Sequence, residues 1–138
     1  MTTPQVAKTL QCIVDAGLKN NPLPLRKGKT VFLGSLIVRS NSTGHVVVDT
    51  EHNSTVAKTF SLRAALAISK KYIKQENYDK VLELDKKYEK HHCDCIFYKH
   101  MHKKTKSDVK KEIMEHRIYT SEDEIEHCKT VLDRIILN

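Results

Sequence analysis

The chain has 138 residues, 39% of them hydrophobic and 30% charged, and carries a formal net charge of +7. That length favours a single domain over 1–138 with a core of its own, and the composition excludes global disorder. No apolar run nears the roughly 20 residues of a membrane span. The first residues also lack the basic and apolar blocks of a signal peptide, so the expectation is a soluble cytoplasmic protein with no membrane partner.

The charge is unevenly placed. Residues 1–75 hold eleven Lys/Arg against Asp15, Asp49 and Glu51, a net of +8. Residues 76–138 hold thirteen Lys/Arg against fourteen Asp/Glu, a net of −1. A basic half of this kind suits an anionic partner such as nucleic acid, or serves solubility alone.

In chain order, Thr3-Pro4 opens a helix whose Val6, Leu10, Ile13 and Val14 recur at helical spacing as far as Gly17. Asn20-Asn21-Pro22-Leu23-Pro24 is an extended connector. Three strands follow, Thr30–Val38, His45–Asp49 and Val56–Phe60, joined by turn-forming segments as an antiparallel meander. Ser61 then caps a helix reaching about Gln75. Leu62, Ala65, Leu66, Ser69 and Ile73 form its buried stripe, and Arg63, Lys70 and Lys74 line another, solvent-facing side. Further helical stretches cover Tyr78–Lys90, a segment from Ser107, and a last one opened by the Ser121–Glu124 capping box, which docks through Ile125, Cys128, Leu132 and Ile135. The prediction is α+β: an N-terminal helix, a three-stranded antiparallel sheet covered on one face by the helices at 3–17 and 61–75, then three to four C-terminal helices.

Two sets of residues bear on chemistry. The segment His91–His102 collects imidazoles and thiols, and its metal-ligand candidates are Cys93, Cys95, His100 and His102. Zinc is the cofactor such a set suggests, but C-x-C and H-x-H match neither common ligand spacing, and Cys128 sits on an apolar stripe where a free thiol packs. The expectation is therefore free cysteines and no closed zinc site. Lys58, Arg63, Lys70 and Lys74 are the candidates for phosphate contacts. No G-x-S-x-G, H-E-x-x-H or glycine-rich phosphate loop is present, so a non-enzymatic binding or interaction role is expected.

The succession of helix, three strands and helix over residues 3–75 resembles the double-stranded RNA-binding domain. Ser61, Arg63 and the alanines after it stand where that family's second helix opens, and the resemblance implies recognition by shape and phosphate contacts. A looser resemblance covers most of the chain. Ala57–Ala67, preceded by short strands and followed by Phe97-Tyr98-Lys99-His100, is similar to small proteins of marine phages and related metagenomic sequences. It implies a prokaryotic or phage setting and no particular activity.

Overall fold

The computed structural model describes residues 30–137 apart from 34 and 42. The helix expected over 3–17, the connector at 20–24 and Cys12 lie outside the described residues. The described part is α+β, with all its helices following the sheet.

The sheet has four antiparallel strands rather than three: β1 Thr30–Leu33, β2 Leu36–Asn41, β3 Gly44–Asp49 and β4 Ser54–Thr59, side by side in that order. The stretch expected as one strand over Thr30–Val38 reverses on itself, with Leu33 paired to Leu36 across a two-residue connection. At the next reversal the Asn41 carboxamide oxygen accepts from the Thr43 and Gly44 amides. Gly44 has φ +143°, and a Cβ there would stand 2.4 Å from the Thr59 carbonyl oxygen, so only glycine fits.

Alternation sets the inner face: Leu36, Val38 and Ser40 of β2 lie beside Asp49, Val47 and His45 of β3, and all are buried. The cross-strand pair Ser40–His45 joins the serine oxygen to His45 Nδ1 at 2.7 Å. Burial pushes the His45 pKa down to about 4, and its Nε2 has no hydrogen-bond partner.

Helix α1, Leu62–Ile73, lies against that face. Ser61 caps it by accepting from the Ala64 amide. Asp85 accepts in turn from the Phe60 amide, the Ser61 amide and the Ser61 hydroxyl, which pins this helix start to the next element. Every residue from Leu62 to Lys70 is buried. A helix buried all round is central rather than superficial. Its free side is covered by two further helices, α2 Asp79–Lys104 and α3 Asp108–Leu137.

Four helical stretches were expected after the sheet, and three are found. The His91–His102 segment belongs to α2, and the Ser121–Glu124 box lies inside α3, where Ser121 is buried. The chain contains neither Gly nor Pro after Gly44, so nothing interrupts either helix. At 26 and 30 residues they run ~39 and ~45 Å, forming an antiparallel hairpin longer than the body it packs on.

The hairpin follows a heptad seam. Val81, Leu84, Tyr88, His91, Cys95, Tyr98 and His102 alternate at three- and four-residue steps along α2, and Thr105, its C-cap, continues the series. Lys111, Met114, Ile118, Ser121, Ile125, Cys128, Leu132 and Ile135 do the same along α3, and all sixteen are buried or half-buried. Near the body the seam joins the core through Val81, Tyr88, Cys128 and Leu132.

Candidate binding surface on the helical hairpin

The residues expected to meet phosphates divide. Lys58 is exposed on β4 and Lys74 is exposed at the end of α1, but Arg63 and Lys70 do not face solvent. Arg63 is 5% exposed and its Nε donates to Asp133 of α3 at 2.9 Å. Lys70 is 8% exposed and its ammonium donates to the Ile136 carbonyl at 2.6 Å, near the C-terminus of α3. Placing these two residues on a solvent-facing side is thus corrected: α3 covers the face they occupy. Burial and the neighbouring Lys74 lower the Lys70 pKa. Lys70, Lys71, Lys74 and Arg134 do line one cleft, with Glu76. That cleft lies at the C-terminal ends of α1 and α3, where basic side chains satisfy helix carbonyls and the helix dipole disfavours an anion.

The four metal-ligand candidates are not brought together. On a continuous helix, residues two apart point in widely different directions. Cys93 is accordingly exposed and Cys95 buried in the seam. His100 is exposed, while His102 Nε2 lies 3.0 Å from Glu115 of α3. Cys93, Cys95 and Cys128 are free thiols, and burial raises the pKa of Cys128.

Among the described residues, a set of three metal-ligating atoms within 4.8 Å of one another occurs at Asp49, Glu51 and His52, a group the sequence reading did not single out. Asp49 ends β3 and is buried. One oxygen accepts from the Glu51 and His52 amides, and the other lies 2.7 Å from His52 Nδ1 and accepts from Tyr72 at 2.5 Å. The Tyr72 bond, followed by those to His52, draws the Asp49 pKa down to about 2. The same contacts raise the pKa of His52 and of Tyr72. This donor set offers a cation an acidic and imidazole environment at a cleft mouth. The Asp49 oxygens are already engaged, however, and their evident work is to tie the β3–β4 turn to the end of α1.

The hairpin end differs in kind. No residue from 96 to 120 is buried, so this length of α2 and α3 stands clear of the core. Its connection carries Lys99, Lys103, Lys104, Lys106, Lys110 and Lys111 against Asp108 alone, a net of +5 over residues 99–111. Five of the six lysines are exposed and Lys111 is half-buried. The reading of half-chains concealed this, because the rest of residues 76–138 sums to −6 and cancels it. The signal was present as Lys103-Lys104-Thr105-Lys106 and Lys110-Lys111.

Two ion pairs define the sides of the hairpin: Lys87–Glu124 on one and Lys99–Glu122 on the other. Residues seven apart share a side. Asp85 and His92 therefore belong with Lys99. Asp85 bonds to Phe60 and Ser61, and His92 packs its ring against Phe60, so the body lies on that side. Met101 belongs with Lys87, and Arg117 with Glu124. Phe97 and Ile113 stand one turn before Met101 and Arg117, and Val109 one turn before Ile113. The side turned away from the body thus presents Phe97, Met101, Ile113 and Val109, exposed by 57%, 36%, 45% and 67%. Phe97 is braced edge-on against Tyr98, whose ring also carries the Arg117 guanidinium at 5.4 Å.

Comparison with family models, curated proteins and solved structures finds no match to this chain. The fourth strand and the burial of Arg63 also depart from the double-stranded RNA-binding pattern. No described helix is long and apolar enough to cross a membrane.

Proposed function

We propose that the protein is a non-enzymatic binding protein that engages a polyanion, with nucleic acid as the fitting class, through the end of its α2–α3 hairpin. The observation that carries this reading is the group of lysines around a turn held well away from the core: six lie in residues 99–111 against Asp108, and of these Lys99 pairs with Glu122. Such lysines neutralise phosphates and release condensed counterions, a contribution that needs no base contact and falls steeply with salt. Aromatic stacking platforms and base-reading elements are not gathered at the turn, so little sequence preference is expected. The body then serves as a base that fixes one end of a rigid two-helix arm. Its own cations are either engaged by α3, as Arg63 and Lys70 are, or scattered, as Lys58 and Lys74 are.

The test is retention on heparin, and anisotropy with RNA and DNA oligomers, across a salt series. Lys103→Glu, Lys106→Glu and Lys111→Glu together should abolish binding at moderate salt. Single charge-neutral changes should each lower the salt slope by about 1. Lys58→Glu with Lys74→Glu should leave binding nearly intact. Wild-type protein that ignores all three polyanions at low salt, or equal losses from the two sets of variants, would overturn the proposal.

A further inference from the structure

We draw no further inference here: the strongest candidate, the exposed apolar side of the α2–α3 hairpin formed by Phe97, Met101 and Ile113, carries none because nothing in the structure shows what covers it, Lys87 and Lys90 offsetting the Asp94 and Glu124 beside it.

Discussion

The two ends of one hairpin obey the same heptad and do opposite things with it. Near the body the seam is filled by Val81, Leu84, Tyr88, Ile125, Cys128 and Leu132, and α1 closes over it. Toward the turn the same positions hold His91, Tyr98, His102, Thr105, Lys111 and Met114, none of them fully buried. The helices continue because nothing in their sequence stops them, but the free energy that holds them is gathered at one end. Helices of this kind draw stability from packing more than from propensity. The distal part is thus free to carry charge and exposed apolar groups that a core would not tolerate. Continuity of secondary structure says little about where a protein is stable.

The contrast is sharpest in truncations along the seam. Leu132 is fully buried where α3 meets the main core, and Leu132→Ala should cost ~2–5 kcal/mol. Ile118, half-buried further along the same seam, should cost about 1 kcal/mol when cut to Ala, since much of its side chain already meets water. Chemical denaturation of the two variants gives the comparison directly. Equal losses would mean that the hairpin is one cooperative unit throughout.

Acid should separate the regions in another way. His45 belongs to the body, and its pKa is held near 4 against an ordinary value of 6.5. The unfolded chain therefore binds a proton in that interval that the folded chain refuses. Stability contributed by keeping His45 neutral is fully present above about 6.5 and is lost as pH falls to about 4, amounting to roughly 3 kcal/mol. His92, also lowered by burial, adds to the same trend. His52 acts in the opposite sense, because its raised pKa gives stability that is lost as pH rises. Asp49 acts lower still, losing its contribution only as pH falls toward 2. Denaturation at neutral pH and near pH 4.5 should show His45→Gln with a distinctly flatter dependence than wild type. An unchanged slope would assign the acid sensitivity elsewhere.

Much of this architecture was legible in residue patterns, and the misses have definite causes. The α+β class and an antiparallel meander follow from β-branched composition and turn-forming links, and the docking of the last helix through Ile125, Cys128 and Leu132 follows from periodicity. The reversal between Leu33 and Leu36 was hidden by β-branched residues on both sides. The merging of helices was hidden by Ser121 and Glu124, which satisfy a capping pattern while lying inside a heptad that the pattern ignores. Arg63 and Lys70 were misplaced for a different reason. A helical wheel shows which residues share a face, but only the tertiary packing shows that α3 covers it. The lysines of the turn were visible as a run, yet no sum over half the chain revealed that they gather around one end of the hairpin.

The smallest stability effect should come from the largest deletion. Replacing residues 97–117 by a short Gly/Asn/Ser loop removes most of the exposed apolar side and all six lysines of the turn. It leaves Tyr88, Cys95, Ile125 and Cys128, the distal satellite of the core, in place together with Ile118, which packs against them. No buried residue is lost, so the denaturation midpoint should shift by no more than surface changes usually produce, about 0.5 kcal/mol, with closure of the shorter loop working slightly in its favour. Polyanion retention should disappear from this folded variant. Hydrogen exchange on the intact protein offers a check without mutation: amides of 97–119 should open locally, while those around Leu132 exchange only on global unfolding. A loop-replaced chain that is molten or insoluble would show that the hairpin end supports its base, and the division drawn between the two ends would then be wrong.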